Sequence, residues 1–281
     1  MRTSPLLVII FVLLLAGCTA QPPVTQGVTE AGTETPATAL SEPVKLNVFA
    51  AASLTEAFGE IGKMFEAGHP GVTVVFNFAG SQQLAQQINE GAPADVFASA
   101  NNKQMNVVIE AEGVISGTQQ TFAKNRLVVI YPQDNPAGLE ELKDLAKPGL
   151  KLVFAAKEVP VGGYALDILD RAVADTAFGA AFKDDLLKNV VSYENNVKTV
   201  LTKVALGEAD AGIVYISDIS GEDASKVGWL DIPDALNVIA SYPIAAVNES
   251  GHPELARAFI DLVLAPEGQD ILAKYNFLPV K

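Results

Sequence analysis

The chain is 281 residues long and carries a formal net charge of −14 at pH 7. So acidic a balance argues against nucleic-acid binding, and it requires an anionic ligand to be held by local dipoles and hydrogen bonds against a repelling long-range field. Cys18 is the only cysteine, which excludes an internal disulfide and any cysteine-based metal cluster.

The chain begins with a basic residue, Arg2, runs apolar from Leu6 to Ala16, and reaches Leu15-Ala16-Gly17-Cys18. That order is a secretory signal. The apolar run of 11 residues is too short for a lasting transmembrane helix, which needs roughly 20 residues. Leu-Ala-Gly-Cys resembles the bacterial lipobox, which implies that residues 1–17 are a lipoprotein signal peptide and that Cys18 takes a diacylglycerol anchor. Residues 18–43 then form the lipidated cysteine and a tether. From Thr19 to Pro43 there is no aromatic residue and no sustained apolar period, so this segment cannot offset its ordering entropy and is expected to be disordered.

From Val44 to Lys281 the length suits two medium domains better than one core. Short β-branched runs predict strands at Lys45–Ala50, Thr73–Phe78, Asp95–Ala98, Arg126–Tyr131, Lys151–Ala155 and Gly212–Tyr215. Helical patterns fall between them at Leu54–Glu66, Gln82–Asn89, Lys103–Glu112, Tyr164–Ala174 and Val197–Leu206. An apolar segment, Ser241–Val247, follows, and two helices opened by Pro253 and Pro266 end the chain. The alternation predicts an α/β fold with largely parallel sheets flanked by helices.

Two βα turns carry the chemistry. Ala51-Ala52-Ser53-Leu54-Thr55-Glu56 has capping-box spacing, and Gly80-Ser81-Gln82-Gln83 repeats a serine at a helix start. Each serine alone reads as a helix cap. Together, on successive strands of one parallel sheet, they bring two helix N-termini to the same carboxyl edge, where free N–H groups and positive dipole ends favour an anion.

These residues resemble the periplasmic molybdate-binding proteins of ABC transporters. The likeness rests on Val48-Phe49-Ala50-Ala51-Ala52-Ser53-Leu54, on Gly80 to Ile88, on Gly91-Ala92-Pro93-Ala94-Asp95-Val96-Phe97-Ala98-Ser99-Ala100, on Val159-Pro160-Val161-Gly162-Gly163-Tyr164-Ala165, and on Asn196-Val197 with Gly212 to Asp218. It implies a two-lobed class II periplasmic-binding-protein-like fold, with lobe one at 44–125 plus 241–281, lobe two at 126–240, and hinges near Lys124–Arg126 and Ala240–Tyr242. It also implies that Ser53, Ser81, Val161, Val197 and Tyr215 bind a molybdate or tungstate oxyanion, with no direct metal-ion ligands, no cofactor and no catalysis. The two valines would act through backbone N–H groups at helix starts. Partners would be the oxyanion, an ABC transporter permease and, through the lipid anchor, a membrane. The protein would be a monomeric extracytoplasmic lipoprotein on the periplasmic or cell-surface side.

Two departures stand out: Val161 is bulkier than the small residue common at that turn, and Asn196 stands where the family often has an acidic one. A receptor for sulfate, phosphate, ferric ion or a small carboxylate remains an alternative, because fold does not fix ligand. So does a secreted hydrolase using Asp184 and Asp185, a pair that reads more simply as a solvated helix face. His69 and His252 each precede a proline and read as loop residues; Trp229 reads as packing. No metalloprotease, nucleophile-elbow, dinucleotide or phosphate-loop motif is present. None of the five expected donors titrates between pH 6 and 8, so a fully deprotonated dianion is the expected ligand.

Overall fold

In a computed structural model of the protein, which describes residues 43–280, strands and helices alternate as the apolar runs predict. The signal peptide, Cys18 and all of the tether except Pro43 lie outside the described residues. The strands are β1 (Val44–Ala51), β2 (Val72–Ala79), β3 (Val96–Ala98), β4 (Gln120–Asn125), β5 (Leu127–Pro132), β6 (Leu152–Ala155), β7 (Val190–Glu194), β8 (Ala211–Tyr215), β9 (Val227–Asp231) and β10 (Ala240–Ala246). The helices are α1 (Thr55–Gly68), α2 (Ser81–Asn89), α3 (Asn102–Glu110), α4 (Pro160–Ala174), α5 (Phe182–Lys188), α6 (Val197–Ala205), α7 (Pro253–Leu264) and α8 (Pro266–Lys274).

The strands form two sheets, in the orders β2-β1-β3-β10-β4 and β7-β6-β8-β5-β9. In the first, β1 pairs in parallel with β2 and β3, while β10 runs antiparallel to β3 and β4, so β10 alone is reversed. In the second, β6 pairs in parallel with β7 and β8, and β5 alone is reversed against β8 and β9. Both sheets therefore share one topology. The reversed strand of each is the one the chain enters on leaving the other sheet: Arg126 joins β4 to β5, and residues 232–239 join β9 to β10.

The first sheet is covered on both faces, because alternate residues point opposite ways. Val48 and Ala50 face a core shared with Phe58 and Phe65 of α1, Phe259 of α7 and Leu272 of α8, whereas Phe49, Phe97 and Ala245 face Leu84 and Ile88 of α2 and Met105 of α3. Helices α4, α5 and α6 pack on the second sheet. The terminal helices thus return to the first lobe.

Several elements differ from their sequence signals. β4, β7 and β9 lack a continuous apolar run because all three are sheet edges; in β7, Val191 and Tyr193 are exposed. Trp229, read as a packing residue, is 48% exposed, since it lies on the outward face of edge strand β9. α4 starts at Pro160, not Tyr164: its two early glycines look like breakers, but a Cβ at Gly162 would stand 2.1 Å from the Ala156 carbonyl oxygen. Glycine is there for close approach. Asp184 and Asp185 lie in the first turn of α5, where Asp185 accepts a hydrogen bond from exposed Lys188 at 2.8 Å.

Candidate functional site

In the parallel pairing of β1 and β2, Ala51 stands opposite Ala79, so the two chains leave the sheet side by side. Ser53 follows in a single 3-10 turn, Ala52–Leu54, and Ser81 is the first residue of α2. Neither serine caps its helix. The cap positions are Leu54 and Gly80, and Gln83 Oε1 takes the Gly80 N–H at 3.2 Å. Ser81 Oγ instead accepts the Ala100 N–H at 3.0 Å, and Ser53 Oγ lies 2.9 Å from the Tyr242 hydroxyl. Both hydroxyls are buried, and the reading of each as a cap fails.

The second lobe brings two more helix starts. Val161 is the second residue of α4 and Val197 the first of α6, so their N–H groups have no carbonyl one turn earlier within the helix. Asn196, at the second departure from the family pattern, caps α6 by accepting the Thr199 N–H on Oδ1 at 3.0 Å. Tyr215 ends β8. It is 1% exposed, and its hydroxyl has no hydrogen-bond partner among the described residues. Burial holds that hydroxyl well above the usual tyrosine range, so it stays protonated and can donate.

Ser53, Ser81, Val161, Val197 and Tyr215 all line one cavity. The rest of its wall is small or apolar, including Ala51, Ala52, Ala79, Gly80 and Ala100, and no charged side chain faces it. The space between these residues is small. Such a space takes a compact polyatomic ion better than an organic molecule. Its only polar side chains are the hydroxyls of Ser53, Ser81 and Tyr215, and three α-helix N-termini and the turn before α1 converge on it, which favours negative charge without a cation.

The lobes touch on either side of the cavity. Gln82 Nε2 donates to the Asn195 carbonyl at 2.8 Å, and Gln104 Nε2 donates to the Glu158 carbonyl at 3.1 Å. Lys198 of α6 holds both carboxylate oxygens of Glu56 in α1 at 2.8 and 2.9 Å, with Asp218 Oδ1 at 3.7 Å from the same ammonium. Asp218 is wholly buried; it accepts the Tyr215 N–H at 3.0 Å, and burial raises its pKa to about 6 against the attraction of Lys198. In the sequence Asn125 and Tyr242 stand out only as hinge positions, Asp218 only as the end of a matched segment, and Lys198 not at all, because their polar partners lie far away in the chain. Glu56 was seen only as a capping-box acid; its lysine partner lies 142 positions away.

The bacterial extracellular solute-binding protein family matches residues 46–278. The chain belongs to that family, in its ModA-type branch. It is 40% identical over 255 residues to the molybdate-binding protein ModA of Mycobacterium tuberculosis, covering 89% of this chain and 92% of that one. The Azotobacter vinelandii periplasmic molybdate-binding protein superposes with a TM-score of 0.72 at 20% identity, covering 84% of this chain and all of that one. The sulfate-binding protein SubI of Mycobacterium tuberculosis gives a TM-score of 0.75 at 19% identity, covering 85% and 88%. At such identities the two structures speak for the two-lobed fold alone. Among the described residues of this solute-binding protein, no helix is long and apolar enough to cross a membrane, and no cluster of His, Cys, Asp and Glu is arranged to hold a metal ion.

Proposed function

We propose that the protein captures molybdate or tungstate outside the cytoplasm and presents it to the permease of an ABC importer, without chemical turnover. The observation that carries this reading is the unpartnered, buried hydroxyl of Tyr215, which lines a cavity whose polar side chains are all hydroxyls and which no charged side chain lines. A buried hydroxyl without a partner costs about 1–3 kcal/mol, a cost that an acceptor ligand relieves. A tetrahedral dianion presents acceptors in every direction, and the convergent helix starts offset part of its desolvation. The 40% identity to a molybdate-binding protein supports the choice of ion.

In this reading Ser53, Ser81 and Tyr215 donate through hydroxyls, and Val161 and Val197 through backbone N–H groups. The lobes are residues 44–125 with 241–281, and 126–240, closing by a hinge at the two connections between the sheets. One chain supplies every donor, so the protein works as a monomer. Cys18 carries a lipid that keeps it at a membrane face.

Calorimetric titration with molybdate, tungstate, sulfate and phosphate tests the proposal. Saturable one-to-one binding of molybdate and tungstate, with sulfate and phosphate far weaker, is expected. Sulfate or phosphate binding more tightly than molybdate would overturn it.

A further inference from the structure

The chain crosses between the sheets at one side. It passes from β4 to β5 and from β9 to β10, and these strands stand together at one end of each sheet order, β10-β4 in the first and β5-β9 in the second. At the opposite edges lie β2 and β7, each three and four strand places from the crossing strands of its own sheet. With neighbouring strands about 4.8 Å apart, that is a lever of roughly 14–19 Å. β2 leads through Gly80 into α2, and β7 leads through Asn195 and Asn196 into α6. Each far-edge strand thus delivers one of the helix starts that line the cavity, at Ser81 and at Val197.

These two turns meet across the cleft. Gln82, the second residue of α2, donates Nε2 to the Asn195 carbonyl at 2.8 Å. The opposite amide orientation would set two oxygens against each other. Gly80 lets the turns come flush, since a Cβ there would stand 2.4 Å from that carbonyl oxygen and 2.5 Å from the Gln82 amide. The other hydrogen bond flanking the cavity, from Gln104 to the Glu158 carbonyl, lies nearer the crossings. Gln104 belongs to the helix after β3, the neighbour of β10, and Glu158 shares a recess with Ile239 of the second crossing and Ser241 of β10. A rotation of roughly 10° about the crossing strands parts the far-edge turns by about 3 Å, which breaks a hydrogen bond, and moves the inner contact less.

We propose that Gln82 is a positioning residue of the binding site, a latch at the far rim of the cleft whose bond to Asn195 shuts the passage by which the ligand leaves. Gln82 does not line the cavity; it acts by holding the Ser81 and Val197 turns together. Its Oε1 is buried without a partner among the described residues, which offsets part of what the Nε2 bond contributes. The latch is therefore weak enough to open. It forms only once the lobes have met, so it acts on release and not on capture.

The inference rests on the reading of the cavity as an oxyanion site. Uptake of radioactive molybdate by the full chain, and its chase with unlabelled molybdate, give the association and dissociation rates separately. Gln82→Ala is expected to raise the dissociation rate by at least about threefold, to leave the association rate within about twofold of wild type, and to leave the melting temperature of the ligand-free protein unchanged. Gln82→Met, which fills similar space without the amide, should match it. Gln104→Ala should speed release less than either. Unchanged release in the Gln82 variants would overturn the latch, as would an equal or larger effect of Gln104→Ala, or association that slows as far as dissociation quickens. Wild-type release in Gln82→Met beside fast release in Gln82→Ala would mean that packing holds the rim, and a melting temperature lowered in both would make the residue merely structural; either result defeats the proposal. Those outcomes, in a protein that binds molybdate, defeat this inference only. Wild-type protein that binds no tetrahedral anion defeats the functional reading as well.

Discussion

Tyr215 shows how one hydroxyl serves binding at the expense of stability. It is buried without a partner, so Tyr215→Phe removes a desolvated group and is expected to raise the stability of the ligand-free protein by roughly 1 kcal/mol while weakening molybdate binding by roughly 1.5–3 kcal/mol. Thermal melting and calorimetry on the same sample check both signs. Ser81→Ala should lose similar affinity without the gain, because Ser81 Oγ satisfies the Ala100 N–H. Asp218 carries a second cost. In an unfolded chain its proton leaves near 3.8, and in the fold near 6. Between those values the folded state holds more protons, so this group makes stability fall as pH rises from about 4 to about 6 and stay level above. Asp218→Asn should be the more stable protein at pH 7, by on the order of 2–3 kcal/mol, with the difference shrinking towards pH 4. A difference in melting temperature that does not vary with pH would contradict it. The sequence leads to the expectation that none of the five donors titrates between pH 6 and 8; Asp218, which is not one of them, lies at the lower edge of that range. At the residue scale, the serines were legible because each follows a strand end. Tyr242 and Asn125 were not, because a polar residue inside an apolar run declares its role only through partners distant in the chain.

Helix starts, not charges, shape the cavity, and glycine decides how close they come. Gly80 sits between β2 and α2, and a Cβ there would stand 2.4 Å from the Asn195 carbonyl oxygen of the other lobe. Gly80→Ala should prop the lobes apart and cost at least about tenfold in affinity, with little change in melting temperature. Gly162→Ala meets the carbonyls of Ala155 and Ala156 within its own lobe, at 2.4 and 2.1 Å, and should instead lower stability. The two substitutions look alike in the sequence; affinity and melting measurements separate them. Strands buried between helices were legible as apolar runs, as with β1, β6 and β8. The edge strands β4, β7 and β9 were not, because one side of each faces solvent and mixes polar with apolar residues. α5, with only seven residues, is too short to show a helical period.

At the scale of the whole molecule, two sheets of like topology meet over one small cavity, and contacts that touch no ligand hold them there. The Glu56–Lys198 pair joins the lobes with both side chains about three-quarters buried. Glu56→Gln leaves Lys198 to Asp218 inside the second lobe, and is expected to weaken ligand binding by about 1 kcal/mol, or fivefold, less at high salt. Affinity unchanged at low salt would show that the pair has no part in closure. The α/β class was legible from strand–helix alternation, and the two-lobed plan from the resemblance carried by five matched segments. The closing contacts were not, since the partners of Gln82, Gln104 and Lys198 are distant in the chain and appear only when the other lobe is placed against them. The central claim is that one tetrahedral dianion is held by donors from both lobes at once. Diffraction at the molybdenum absorption edge from crystals grown with molybdate tests it most directly. The account predicts a single anomalous peak in the cavity, its oxygens within hydrogen-bond reach of the Ser53, Ser81 and Tyr215 hydroxyls and the Val161 and Val197 N–H groups. A peak elsewhere, or bound by one lobe alone, would contradict it.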